Sequence, residues 1–192
     1  MDKVELLYDH YKDTFSQIKE SLNQRNSFFV KVFLTMTLQF LFAMSPESII
    51  SLITLIINNK YEVDITGQTS IIQCLLWITL LYFTIRYYQT TVYIERQYKY
   101  IHNIESTISD LIETKFDREG GDYLHDYPLM NDMIDKLYKW VFPIMYCLVV
   151  VVKIISEYYY DRLGLPLAFD TIVFLTCFIL TILYLIFLHK RN

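Results

Sequence analysis

Glycine and proline are scarce, with four of each in 192 residues. The one Gly-Gly pair, Gly120-Gly121, is flanked by acids, which excludes a glycine-rich phosphate loop and a nucleophile elbow. Cysteine is nearly absent too. Cys74, Cys147 and Cys177 are odd in number and all fall inside apolar runs, so they read as small buried hydrophobes and not as disulfide or metal-site residues. The four histidines, His10, His102, His125 and His189, are dispersed without ligand spacing. A basic stripe is missing as well, and at a net charge of −4 the chain offers no direct nucleic-acid footprint.

What the sequence has in abundance is apolar and aromatic side chains, 54% and 17% of residues. Four runs of 16 to 18 residues, Ser27–Met44, Ser70–Ile85, Trp140–Ser156 and Thr171–Leu188, take up more than a third of the chain. A membrane helix needs about 17–25 residues to cross ~30 Å of hydrocarbon. Tyr82, Tyr87 and Tyr88 beside the second run, and Trp140 and Phe142 at the start of the third, suit the interface belt. A soluble bundle of buried helices is the competing reading. Thr171–Leu188 argues against it, being apolar all round.

Positive charge sets the expected orientation, because cytoplasmic flanks retain Lys and Arg. The N-terminal segment (Lys3, Lys12, Lys19, Arg25), the central arm (Arg86, Arg96, Lys99, Lys115, Arg118, Lys136, Lys139) and the tail (Lys190, Arg191) hold thirteen. The opposite side has only Lys60 and Arg162. The expectation is an all-α membrane protein of the cell inner membrane, with four transmembrane helices, a helical cytoplasmic stalk and both termini in the cytoplasm. The first 26 residues are charged and polar, which predicts insertion through the first span itself.

Four segments follow. Residues 1–26 are expected to form a cytoplasmic helix, where Val4, Tyr8, Tyr11, Phe15, Ile18 and Leu22 recur at spacings of 4, 3, 4, 3 and 4 and draw one apolar stripe. Residues 27–85 form a first hairpin of spans, with Ser45 and Pro46 starting a short outer interfacial or re-entrant helix over 46–58 and a turn near Gly67. Residues 86–139 are the arm: Ile94, Ile101 and Ile108 lie seven apart, with Gln97, Ile104 and Leu111 at complementary positions, so a second seam is legible. Gly120-Gly121 should reverse the chain, and Pro128 should open a further helix carrying Met130, Met133, Ile134, Leu137 and Trp140. Residues 140–192 are a second hairpin and short tail, with Pro143 in the first turn of its first span and Asp170 as the cap of its last.

The two apolar stripes need cover, either from each other or from another subunit or partner. Polar residues inside the spans are the other feature to explain. Lys31 lies about one turn inside the cytoplasmic boundary, where it snorkels or lines a pore; Gln39 and Gln73 lie deeper and want hydrogen-bonding partners; Lys153 is spaced to pair with Glu157 at the outer boundary. Few ionisable groups are expected at mid-bilayer, which disfavours transport. Two further patterns bear on catalysis or ligand binding. Arg96 and His102 match the loose Arg-x(4–6)-His spacing of the HEPN ribonucleases, and the acids Asp117, Glu119, Asp122 and Asp126 cluster without the spacing of a calcium loop. Both read more simply as solvated surface.

The plan of the first half, a stripe helix, two spans and a second stripe helix running through Tyr93-Ile94-Glu95-Arg96-Gln97-Tyr98, is similar to the SMODS- and SLOG-associating two-span effectors. The whole, with four spans and both ends inside, resembles the membrane subunit of Kiwa-type antiphage defence systems. The resemblance implies a homo-oligomer in the inner membrane that either forms a pore or anchors and signals to a soluble effector. Function is therefore expected to be non-enzymatic and free of cofactors: a sensor or anchor subunit that engages a soluble cytoplasmic partner, with a self-assembling pore and a membrane-bound ribonuclease as alternatives.

Overall fold

The computed structural model describes residues 3–61, 69–116, 137–160 and 164–189. Among these the regular elements are all helical: α1 Lys3–Met44, α2 Pro46–Tyr61, α3 Thr69–Ile112, α4 Phe142–Tyr160 and α5 Leu165–His189, with a π-helical turn at Leu137–Val141 ahead of α4. Helices α1, α3, α4 and α5 are long and apolar enough to cross a membrane, whereas the apolar part of α2, Pro46–Leu55, is too short. By length and composition the chain is a multi-pass helical membrane protein.

The described prolines mark helix starts. Pro46 opens α2, where the Ser45 carbonyl accepts the first helical bond from the Ile49 N–H at 3.2 Å; a first-turn proline gives up only an amide that would have no partner anyway. Pro143 sits in the first turn of α4 directly after the π-helical turn. Its ring would clash with the carbonyl of Lys139 in α geometry, and the wider turn relieves that clash. Pro166 is the second residue of α5, whose first bond runs from the Ala168 N–H to the Gly164 carbonyl at 3.1 Å. Asp170 is therefore not the cap of the last span. The helix begins six residues earlier than expected because Gly164 and Pro166 already start it, and Asp170 is carried inside, 3% exposed.

The chain divides into two compact units, one made of Met1–Phe29 and Arg86–Asp135, the other of Val30–Ile85 and Lys136–Asn192. Helices α1 and α3 each contribute to both without a break. In the first unit they run antiparallel, with Tyr11 against Phe116 and Phe29 against Tyr87. The two stripes cover each other: Tyr11, Ile18, Ile101, Ile104 and Ile108 form the core, and Leu7, Phe15, Leu22, Tyr98 and Phe116 pack around it. Full burial of such side chains is worth about 1.5–3 kcal/mol apiece. Helix α3 ends at Ile112, and Glu113, at a φ of 53°, takes the left-handed conformation that stops it. The Ser109 hydroxyl then accepts the Phe116 N–H at 2.9 Å and donates to the Glu105 carbonyl at 2.8 Å, so the chain folds back and lays Phe116 on Tyr8 and Tyr11.

The second unit, which holds the spans, is inverted relative to a soluble domain. Leu34, Leu75, Leu148, Ile172 and Leu183 are among the large apolar side chains it exposes, while Gln39, Gln73, Lys153, Glu157 and Asp170 are buried. That arrangement suits a hydrocarbon solvent. Six of its threonines are not polar liabilities: Thr35, Thr37, Thr79, Thr171, Thr176 and Thr181 each donate to the carbonyl four residues back on their own helix. The turn at Gly67, the reversal at Gly120-Gly121, the helix from Pro128 and the acids at 117–126 lie outside the described residues.

Candidate functional site

Within the span unit, α3 and α4 run antiparallel and are joined by polar contacts at two levels. At one, the Thr84 hydroxyl donates to the Tyr146 hydroxyl at 3.1 Å. At the other, the Trp77 indole N–H donates to Glu157, 3.0 Å from Oε1 and 3.2 Å from Oε2. Lys153, one helical turn before Glu157, reaches the same carboxylate with its Nζ 2.5 Å from Oε1. Both charged side chains are 1% exposed and Trp77 is fully buried. An apolar layer that includes Leu80 and Val150 separates the two polar levels along the helices.

The local sequence explains why these groups face inward together. Residues four apart on a helix share a face, so Lys153 and Glu157 turn to the interior as one unit, alongside Val150 and Ile154, while Val152 and Ile155 face out. An ammonium and a carboxylate so deeply buried are each expensive alone and tolerable as a hydrogen-bonded pair. Trp77 satisfies a further lone pair of the acid, a charge-assisted bond worth about 1.5–3 kcal/mol, and its ring is held edge-on by Phe174 of α5 at 6.5 Å. A second buried acid, Asp170 of α5, lies within hydrogen-bonding reach of the Cys74 thiol of α3. Sequence spacing predicts the Lys153–Glu157 pair, near the outer end of its span. The structure makes that pair and buries it, Glu157 lying three residues before the end of α4 and the buried Asp170 five residues after the start of α5.

Of the other intramembrane polar candidates, Gln39 and Gln73 are buried, and Lys31 is exposed with its Nζ 5.7 Å from the centre of the Phe83 ring. The seam residues Tyr11, Ile18, Ile94, Ile101, Ile104 and Ile108 are buried; Val4, Phe15 and Leu22 are half-buried; Tyr8 and Leu111 are exposed. Tyr8 nevertheless keeps an edge contact with Phe116. Arg96 is exposed, and His102 is half-buried with its ring 6.4 Å from that of Tyr98. The three cysteines are free thiols, and no group of three or more His, Cys, Asp or Glu able to hold a metal ion occurs among the described residues. Comparison with protein-family models, curated proteins and solved structures finds no match for this chain.

Trp77, Phe174 and Asp170 are the participants that sequence reasoning did not assign. Trp77 acts on an acid 80 residues away, a relation that no local pattern carries. Asp170 had a readable signal in the apolar Leu165–Phe169 ahead of it, which continues the periodicity of the last span backward through the aspartate.

Proposed function

We propose that the chain is a non-enzymatic sensor or anchor subunit of the cell inner membrane, working as a homo-oligomer and engaging a soluble cytoplasmic partner. The observation that carries this reading is the continuity of α1 and α3, two membrane-length helices that each run on, unbroken, into a unit with a core of its own. A helix shared by two units is the simplest way for an event in one to bias the other. The thirteen-to-two distribution of Lys and Arg supports placing the stripe-bearing unit in the cytoplasm. Because Ile101, Ile104 and Ile18 are used within the chain, the partner would be recognised by the outer faces of α1 and α3, where Lys12, Lys19, Arg96, Lys99 and Tyr100 are exposed. The resemblance in plan to antiphage membrane subunits supports defence as the setting.

The deciding measurement is the mass of the protein in mild detergent together with whatever co-purifies from its native host. A discrete homo-oligomer carrying a stoichiometric soluble protein is the expected result. A monomer with nothing attached would overturn the reading. A pore is the second reading, favoured by Gln39, whose buried amide has no hydrogen-bond partner. Its signature would be a ring-like oligomer without partner and depolarisation of cells on expression alone, altered in Gln39→Leu.

A further inference from the structure

From Ser21 to Met44 of α1 and from Thr69 to Ile94 of α3 there is no Asp or Glu, yet these stretches hold Arg25, Lys31 and Arg86. The two helices therefore offer these cations no countercharge of their own there. In the unit made of Met1–Phe29 and Arg86–Asp135, the Arg86 guanidinium lies 5.5 Å from the centre of the Phe28 ring. Arg86 directly follows the apolar run Ser70–Ile85, and Phe28 is the second residue of Ser27–Met44, so the contact stands at the margin of both runs. Arg86 is exposed and has no carboxylate partner among the described residues. In the span unit, Lys31 repeats the arrangement, its Nζ 5.7 Å from the centre of the Phe83 ring. Val30, Phe33 and Leu34 beside it are exposed too, which puts the ammonium on the lipid-facing side. It lies about 6 Å past Ser27 at a rise of ~1.5 Å per residue, a depth from which a lysine snorkels to the surface.

The geometry points to anionic phospholipid as an outside countercharge: Arg86 and Lys31 each hold a lipid phosphate, with a phenylalanine ring as the platform that steadies the cation. A ring face attracts a cation and limits where it swings. The guanidinium then keeps its N–H donors in a rigid fork that fits phosphate oxygens two at a time, whereas the Lys31 ammonium acts as a point charge with three donors. The position favours lipid over a soluble acidic protein, because a cation at the margin of an apolar run stands at the level of the bilayer phosphates and a protein acid would have to enter the headgroup layer to meet it. A zwitterionic headgroup brings its own cation, so a lipid of net negative charge is the better match. The distribution of Lys and Arg along the chain supports assigning this end of the spans to the cytoplasmic leaflet, whose anionic lipids attract basic residues close to a span. The proposal rests on the spans alone and holds whether or not the chain serves as a sensor or anchor.

The full-length protein in a mild nonionic detergent is unfolded by heat while its tryptophan emission is followed, at rising concentrations of phosphatidylglycerol, of phosphatidylcholine with the same tails, or of inorganic phosphate. A ligand that binds the folded chain raises the midpoint by mass action, so the dependence on concentration reads affinity. Phosphatidylglycerol is expected to stabilise the protein at concentrations where phosphatidylcholine and inorganic phosphate do not. Arg86→Gln and Lys31→Gln should each need about fivefold more of it for the same rise, and Phe28→Leu, which keeps both charges and removes one platform, about twofold more. Lys3→Gln makes the same change of charge at an exposed position far along α1 from either run and should leave the affinity unchanged. Should Arg86→Gln not fold, Arg86→Lys, which keeps the charge and loses the fork, takes its place and should still bind more weakly than the unaltered chain. Equal stabilisation by phosphatidylcholine or by inorganic phosphate, an unmoved affinity in the Arg86 or Lys31 variant, or a matching loss in Lys3→Gln would each overturn the proposal. None of these results bears on whether a soluble partner exists.

Discussion

In the unit made of Met1–Phe29 and Arg86–Asp135, Ile18, Ile101 and Ile108 are hidden while Lys12, Lys19, Arg96 and Lys99 face outward. In the unit made of Val30–Ile85 and Lys136–Asn192, Lys153, Glu157 and Asp170 are hidden while Leu34, Leu175 and Ile186 face outward. The same two helices, α1 and α3, obey both patterns along their lengths. The difference teaches that the solvent, and not the helix, decides which side chain is inside. In water the stabilising step is removal of apolar surface. In hydrocarbon that driving force disappears, and packing with mutual satisfaction of polar groups takes over.

The sharpest way to break the contrast is to unbalance the buried pair. Glu157→Ala or Lys153→Ala should cost about 3–5 kcal/mol, because each leaves its partner charged and alone. Lys153→Met/Glu157→Leu should recover most of that, as read by unfolding of the detergent-solubilised protein. If the single and double variants were equally unstable, the pair would not be acting as a unit. Next in size is Ile101→Asp, which puts a charge in the core of the other unit at a cost of several kcal/mol. Proteolysis within 86–112 should then become rapid while insertion of the four spans survives. Phe15→Asp, at a half-buried position, should act in the same direction but more weakly.

A matched pair of truncations sharpens the comparison further. Ile104→Ala should cost about 2–5 kcal/mol, whereas Leu34→Ala, on the outward face of the span unit, should stay within about 0.5 kcal/mol, as for other substitutions away from a packed core. Equal losses at the two sites would mean that Leu34 is covered by protein and not by lipid. Trp77→Phe keeps most of the ring and deletes the donor to Glu157, and about 1.5–3 kcal/mol should be lost in thermal unfolding. A smaller loss is expected from Ser109→Ala, about 1 kcal/mol for the bonds that fold Phe116 back onto Tyr11. Hydrogen exchange should register it at the C-terminal turn of α3 alone.

Much of this architecture is readable in the sequence, because helical period is a local property. The 4-3-4-3-4 spacing from Val4 to Leu22 and the sevenfold recurrence of Ile94, Ile101 and Ile108 announce apolar faces without reference to anything distant. Four membrane-length helices follow from run length alone. What spacing could not settle was the choice between a stripe covered by its own chain and one covered by another, since both give the same pattern. Burial of Lys153, Glu157 and Asp170 was illegible for a different reason. Charged residues close to a turn in sequence read as residues at the end of a span, and spacing does not say whether neighbouring helices cover them there.

The arrangement of Lys153, Glu157 and Trp77 also bears on how the chain can be made. Trp77 is synthesised 80 residues before the acid it bonds, a delay of about 4–16 s at ~5–20 residues per second. An indole tolerates that wait, since it is uncharged. Lys153 and Glu157 need no such patience: one turn apart on the same helix, they can neutralise each other as soon as α4 coils. The third span is thereby delivered to the bilayer as a neutral rod, its charge problem solved within a single segment before its neighbours are consulted.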